Sequence, residues 1–507
     1  MKEKIVVIFL YLFFFNILSG TQMRIEGYYE GIIENQKESE DYEWDASSLF
    51  YKFDTRLYAD PFPFAHLYFF FQNKNFGDYD SFGTKYYYKT DNTTYLNNAQ
   101  LSFRQERNNN GFETKLFFRG SDNYWLDGTM LELLDVDKVK NDDNGRGVRF
   151  DFWHSLNGSA SYVFSDFSGN GNNAEDIHLA RLRQSFFNNK LFGGLFYFRR
   201  NRPSGIKEDY EEVAATDIKF SLGRYDFNSE FSFCNDYFNE EFQTKNKEFR
   251  EKGFTSIEGI KDILKSNIAL KGEIKGFRIG NSNIGFWNFS PGYWSYGETF
   301  QSSFDKDDNP NNEYGFWLNS YFLVPTRAIT VTLNWSQYKK HIPNIYQNKQ
   351  YYDPSNKLYS EVYLEFINGF KGKVYLERRK EEDKGIAAKY YDLFTELSVE
   401  NRLGKFLTQF MIRDWGDLWE KQQIGIECSI NLSEKLRLFT RALISEERFG
   451  LRQIFFGEIQ YKISGNSNLY IQYGPNGIGD NNLINDDDFK NGGTMQKYVR
   501  MFVQGWF

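Results

Sequence analysis

The chain of 507 residues carries 61 Lys and Arg against 69 Asp and Glu, a net charge of -8. That balance excludes the basic patch or stripe by which a nucleic-acid binder is known. Aromatic residues make up 19% of the chain, with 53 Phe and 35 Tyr, yet 26% of it is charged and mean hydropathy is -0.63. A chain both aromatic and hydrophilic fits poorly into a soluble two-layer fold. It suits a wall in which only alternate residues meet lipid.

Met1 to Gly20 has a basic head at Lys2 and Lys4, an apolar run from Ile5 to Leu18, and small residues at Ser19 and Gly20. This is the pattern of a secretory signal peptide cut near Gly20–Thr21. No later window approaches the roughly 18 to 20 unbroken apolar residues of a spanning helix. The expectation is therefore that residues 21–507 form one transmembrane β-barrel, with no plug domain ahead of it.

From Met23 onward, segments of period-two alternation recur, each with one apolar parity and one polar parity. In Val331 to Gln337 the apolar set is Val331, Leu333 and Trp335. In Gln423 to Asn431 it is Ile424, Ile426, Cys428 and Ile430, and in Phe455 to Ile463 it includes Phe455, Ile459, Tyr461 and Ile463. Ile177 to Phe187 is ambiguous, because both parities carry apolar residues and Arg181 shares its parity with Arg183.

The connectors predict two alternating classes. Short ones fall at Arg107 to Asn110, Leu156 to Gly158, Asn188 to Lys190, Gly223 to Asp226, Lys275 and Gly276, Pro325 to Arg327, Asn368 to Phe370, Arg402 and Leu403, Leu432 to Glu434, and Ser464 to Asn466. Long ones fall at Asn75 to Tyr95, Ser121 to Arg146, Asp236 to Leu264, Asn288 to Glu313, Lys339 to Lys357, Glu381 to Lys389, Trp415 to Glu420 and Pro475 to Met495. Short turns on one rim and long loops on the other are the layout of an antiparallel up-and-down transmembrane barrel, with the long loops extracellular. The count comes to about 24 strands, roughly 20 to 24 at the extremes of the boundaries.

At the C-terminus, Val499, Met501, Val503 and Gly505 alternate with Arg500, Phe502, Gln504 and Trp506, and the sequence ends on Phe507. This ending resembles the closing strand of bacterial outer-membrane β-barrels. The resemblance implies an outer-membrane location among lipid and lipopolysaccharide. It also implies that the barrel assembly machinery reads Trp506 and Phe507, and that this strand pairs with Asn468 to Gly474 and with Met23 to Ile33.

The two cysteines, Cys234 and Cys428, have neither CxxC nor metal-type spacing, and read as buried thiols. The four histidines, His66, His154, His178 and His341, lie in no HExxH pattern. There is no GxSxG elbow, P-loop or dinucleotide fingerprint. The expectation is no enzyme, no cofactor and no resident metal, with His154 and His178 the two that a Ser–His pair on the wall would have to use.

The polar parity, taken as inward, gathers pore-lining candidates Arg104, Lys115, Lys271, Glu273, Glu361, Glu365, Lys373, Glu377, Glu427, Arg437, Arg441, Glu458 and Arg500, with Lys219 and Lys462. Lys373 is expected against Glu365 and Arg437 against Glu427. Such charges either set ion preference in a wet pore or lace the wall together. Inward aromatics at Tyr363, Tyr375, Phe439, Phe456 and Tyr470 either pack the wall or offer a track for sugar rings.

Acidic clusters occur at Asp135, Asp137, Asp142 and Asp143, at Asp305, Asp307, Asp308 and Glu313, and at Asp480 and Asp486 to Asp488. They read as solvated loops, with divalent bridging the alternative. Pro310 and Phe316 rule out a calcium-binding EF-hand loop. In Asp236 to Leu264 the apolar residues Ile257, Ile260, Ile263 and Leu264 recur at helical spacing, so this loop either folds into the pore or caps the rim. The reading that results is a porin-like channel for passive diffusion of small polar solutes or ions. Its alternatives are a non-conducting receptor or structural barrel, and an oligosaccharide-specific uptake porin.

Overall fold

The computed structural model describes residues 22–37, 48–81, 84–119, 130, 131, 133, 145–166, 176–201, 210–236, 268–281, 285–297, 300, 312–324, 328–346, 349–367, 369–383, 386–416, 420–447, 450–474 and 497–507. The expected signal peptide therefore lies outside the described residues.

The first strands are β1 (Gln22–Lys37), β2 (Ser48–Phe62), β3 (Ala65–Ser81), β4 (Thr84–Arg107), β5 (Asn110–Phe118) and β6 (Arg146–His154). They are followed by β7 (Gly158–Asp166), β8 (Asp176–Phe186), β9 (Leu191–Asn201), β10 (Tyr210–Leu222), β11 (Tyr225–Asp236) and β12 (Ile268–Lys275). Next come β13 (Phe277–Asn281), β14 (Gly285–Tyr296), β15 (Glu313–Val324), β16 (Ile329–Lys340), and the short β17 (Asn344–Tyr346) and β18 (Lys349–Tyr351). The wall finishes with β19 (Ser355–Ile367), β20 (Phe370–Asp383), β21 (Ile386–Asn401), β22 (Gly404–Arg413), β23 (Lys421–Asn431), β24 (Leu436–Glu447), β25 (Gly450–Ser464), β26 (Ser467–Gly474) and β27 (Lys497–Trp506).

Among the described residues, 25 of these strands form one antiparallel sheet, and β17 and β18 form a separate hairpin. β12 and β13 both pair with β14, so they are two halves of one stave, and the wall has 24 staves. β27 closes it. It pairs with β26 from Ser467↔Gly505 to Gly474↔Tyr498, and with β1 from Tyr28↔Trp506 to Lys37↔Lys497. Phe507 extends the seam by donating its N–H to the Gly27 carbonyl at 3.0 Å and accepting from the Gly27 N–H at 2.9 Å. The Phe507 ring lies over Gly27, where an added Cβ would fall 2.0 Å from the ring and displace it.

The two faces differ chemically. One carries exposed Ile25, Ile33, Phe53, Phe71, Leu195, Ile218, Ile424 and Met501. The other buries Glu34, Asp54, Gln72, Gln409, Gln423, Glu427, Arg441 and Arg500. The second face is the interior. Among the described residues the closed wall leaves no open sheet edge, which in lipid avoids several kcal/mol per orphaned group.

The structure corrects several boundaries. Lys275 and Gly276 form no turn: Gly276, at φ +95°, sits in a bulge between β12 and β13, and a Cβ there would fall 1.9 Å from the Arg224 carbonyl oxygen. The regular register breaks between Glu273↔Gly292 and Phe277↔Phe289. The extra residue keeps both Ile274 and Phe277 on the apolar outer side.

Asn288 onward is not yet loop but the body of β14, because Pro291 lies opposite that break in the ladder, where an absent N–H costs least. Asn75 to Tyr95 and Glu381 to Lys389 are not open loops either. β3 and β4 stay paired as far as Ser81↔Thr84, and β20 and β21 as far as Asp383↔Ile386. The link after Lys340 carries the β17–β18 hairpin. Of the cysteines, Cys234 is buried on β11, while Cys428 is only half-buried on the outer face of β23.

Candidate channel lumen

The register places every expected pore-lining residue on the inner face. In the N-terminal half, Arg104 bonds Glu106 at 2.8 Å and lies over the Trp153 ring. Lys115 reaches Glu113 at 3.5 Å, Glu273 meets Lys275 at 3.2 Å, and Lys271 stands opposite Glu230 in the ladder. Lys219 stands opposite Asn228, and Lys462 opposite Asn468.

In the C-terminal half the charges interlock diagonally across strands. Lys373 stands opposite Tyr363, with Glu361 and Glu365 as its two diagonal neighbours, and pairs with Glu361 at 2.9 Å, while Lys371 stands opposite Glu365. Glu377 takes Lys357 at 3.0 Å and Arg379 at 3.3 Å, and Arg379 reaches on to Asp392 and Asp414, each at 3.2 Å. Glu427 is held by Arg441 at 2.8 Å and Lys405 at 3.2 Å. Arg437 is one register step too far for Glu427: it faces Asn431 and donates to Ser429 Oγ at 2.8 Å. Glu458 accepts from Gln472 at 2.6 Å. Arg500 forks onto Glu34 across the closing seam, with both side chains buried. Removing one partner of such a buried pair costs about 3–5 kcal/mol, since the other charge is left uncompensated.

Four of the inner aromatics, Tyr375, Phe439, Phe456 and Tyr470, are bound up in local pairs. Tyr470 stacks on Phe502 with centroids 4.4 Å apart, and Tyr375 stacks on Phe394 at 4.9 Å with Tyr359 beside it at 5.4 Å. Phe439 meets Phe456 edge-on at 6.1 Å, under the guanidinium groups of Arg437 and Arg441.

A different inner surface spans β5 and β7 to β14. There Val163, Leu179, Phe196, Phe198, Val213 and Cys234 form one apolar cluster on the lumen side. Leu131 and Leu133, from the connection between β5 and β6, pack into it at 0% and 1% exposure. This explains the two apolar parities of β8: Ile177 and Leu179 face inward because a piece of loop covers them.

The cover is anchored by charge. Glu230 Oε2 accepts the Leu131 N–H at 3.0 Å and a further backbone N–H from Met130. Beneath it, Arg181 and Asp217 form a buried ion pair at 2.5 Å. Gly194 makes the room for that pair, since a Cβ there would fall 2.1 Å from the Asp217 carboxylate. Sequence reasoning named Arg181 without a role and missed Asp217, Glu230, Leu131 and Leu133. The available signal was an apolar Leu131-Glu132-Leu133-Leu134 run inside a long connector, matched by four neighbouring strands with apolar inward positions. The connection expected to fold inward, Asp236 to Leu264, falls almost wholly outside the described residues.

At the short-turn mouth a second lumenal feature, a polar cavity of about 950 Å³, is lined by Arg24, Tyr58, Asp60, His66, Tyr68 and Gln100 among others. His66 Nδ1 lies 2.7 Å from Asp60 there. Among the described residues the two other wall histidines meet no serine. His154 accepts the Leu156 N–H at 3.2 Å and faces Gln184 Oε1 at 3.0 Å, while His178 bonds the Tyr162 hydroxyl at 2.8 Å. A Ser–His contact does join Ser295 to His341, at 2.9 Å on the long-loop rim. Of the acidic clusters only Glu313 is described, and it accepts from Trp294 Nε1 at 2.9 Å rather than standing in a cation loop. No His, Cys, Asp and Glu group suited to a metal occurs among the described residues.

No family model matches the chain, and no curated protein matches it. Among solved structures, the chain is similar to the siderophore receptor PirA from Pseudomonas aeruginosa at 11% identity, covering 96% of this chain and 80% of that one with a TM-score of 0.44. It is similar to the P pilus usher PapC translocation pore at 8% identity, over 96% and 99% of the two chains, with a TM-score of 0.42. It is also similar to OccAB3 of Acinetobacter baumannii at 8% identity, over 96% and 99%, with a TM-score of 0.31.

Proposed function

We propose that this chain is an outer-membrane channel through which small polar solutes and ions diffuse passively. The observation that carries the reading is the division of the wall: apolar residues exposed outward, and charged, mutually paired residues inward. Lipid satisfies the first face, and only water or polar solute satisfies the second. Twenty-four strands about 4.8 Å apart and tilted by about 40° enclose a round wall on the order of 50 Å across, too wide for side chains alone to fill.

Acid and base alternate along the inner face, so neither sign dominates the field. Ion selectivity is accordingly weak. The paired aromatics favour a packing role over a continuous sugar track. Reconstitution of the purified barrel in a planar bilayer tests the reading: stepwise current with a zero-current potential close to 0 mV under a salt gradient supports it. A folded, inserted barrel that never conducts would favour a surface receptor instead. The terminal Trp506 and Phe507 serve assembly in this reading, as the strand end presented to the assembly machinery.

A further inference from the structure

On the outer face of β4 to β10, rising from the short-turn rim, the wall is concave rather than smooth. A groove of about 960 Å³ opens there, at the upper end of the roughly 300–1,000 Å³ typical of ligand clefts. Its flanks are Phe112, Phe152, Leu182, Phe186, Leu195 and Ile218, all strongly exposed, and its hollow is made by the small residues Ala160 and Gly193. At Gly193 a Cβ would find its nearest neighbour 3.9 Å away, in the Phe186 ring, so the hollow is open space rather than close packing.

The end at the short-turn rim is polar. Gln184, His154 and Asn110 are engaged there: Gln184 with Leu156, Ser185 and His154, and Asn110 with Ser155 and Asn108. Arg107 lines the same end, exposed and with no anionic partner among the described residues.

We propose that this groove binds one glycerophospholipid from the leaflet that meets the short turns, with acyl chain against Ala160 and Gly193 and phosphate on Arg107. The proposal rests on the reading of the wall as membrane-embedded. Charge complementarity selects the occupant. A second barrel would bring only apolar wall to an unpaired guanidinium, whereas a phosphate at headgroup depth matches its fork of donors. The groove gives an acyl chain more contact than the flat wall beside it, at roughly 0.8 kcal/mol per buried CH₂.

The test compares the full barrel with Gly193→Leu and Arg107→Glu variants. Each is delipidated in detergent and titrated with phosphatidylglycerol, with native mass spectrometry reading the lipid-bound fraction. Expected is one tightly held lipid on the unaltered protein, at least tenfold weaker in each variant, with heat-modifiable migration and bilayer conductance unchanged in both. Equal lipid retention by all three proteins overturns the proposal. Concentration-dependent dimers lost in Gly193→Leu, without a selective lipid, overturn it in favour of a second copy as occupant. Failure of all three proteins to insert into bilayers would instead strike at the membrane reading itself.

Discussion

Glu230 shows how one side chain can hold a loop against a wall. Its carboxylate sits fully buried on β11 and takes backbone N–H groups from Met130 and Leu131, which fixes the two leucines over the lumenal apolar cluster. Glu230→Ala removes that anchor and leaves buried N–H groups unpaired, at about 1–3 kcal/mol. Limited proteolysis in the 130–133 stretch is expected to accelerate, with the barrel itself remaining folded. The Glu34–Arg500 pair makes a second residue-scale case. Glu34→Gln alone should lower barrel stability by about 3–5 kcal/mol in denaturant titration, and adding Arg500→Gln should recover part of the loss, since no buried charge is then left alone.

At the scale of the element, Gly276 bears the most weight. Gly276→Val would put a branched side chain at φ +95° and drive its Cβ into the Arg224 carbonyl. Loss of the heat-modifiable barrel band is expected, whereas Gly31→Ala, where a Cβ meets nothing within 4 Å, should assemble normally. Deleting Trp506 and Phe507 removes the two seam bonds to Gly27 and is expected to abolish outer-membrane assembly. Recovery of that truncation as a normal heat-modifiable barrel would contradict this role for the C-terminal residues.

The same elements show what the sequence could and could not convey. Strands such as β23 are legible because their faces meet different media, so alternation survives in Ile424, Ile426 and Ile430 against Gln423, Glu427 and Ser429. β14 was not legible. Ser290-Pro291-Gly292 has turn chemistry, and only the bulge in the neighbouring stave explains why a strand tolerates it. The extended hairpins of β3–β4 and β20–β21 were hidden because their pairing continues through polar and charged stretches such as Glu381-Glu382-Asp383, where no alternating apolar signal marks a strand. Ion-pair partners need the register to one residue, and sequence alternation fixes only the face. Alternation therefore puts Lys373 and Arg437 on one face of the wall, and only the register gives them Glu361 and Ser429 as partners.

For the whole molecule, closure and the division of faces define the account. In the proposed reading, the 24-stave wall with charged residues inside encloses an aqueous path, with Met130, Leu131 and Leu133 on one side of it. Replacing Leu131 and Leu133 together by Asp would place two carboxylates against the apolar seat, detach the segment, and raise single-channel conductance over the unaltered barrel. The most direct test of the account remains single-channel recording of the purified, refolded protein in a planar bilayer. Discrete current steps are expected, with a zero-current potential near 0 mV in a salt gradient. An inserted, heat-modifiable barrel that gives no steps at any applied voltage would contradict it.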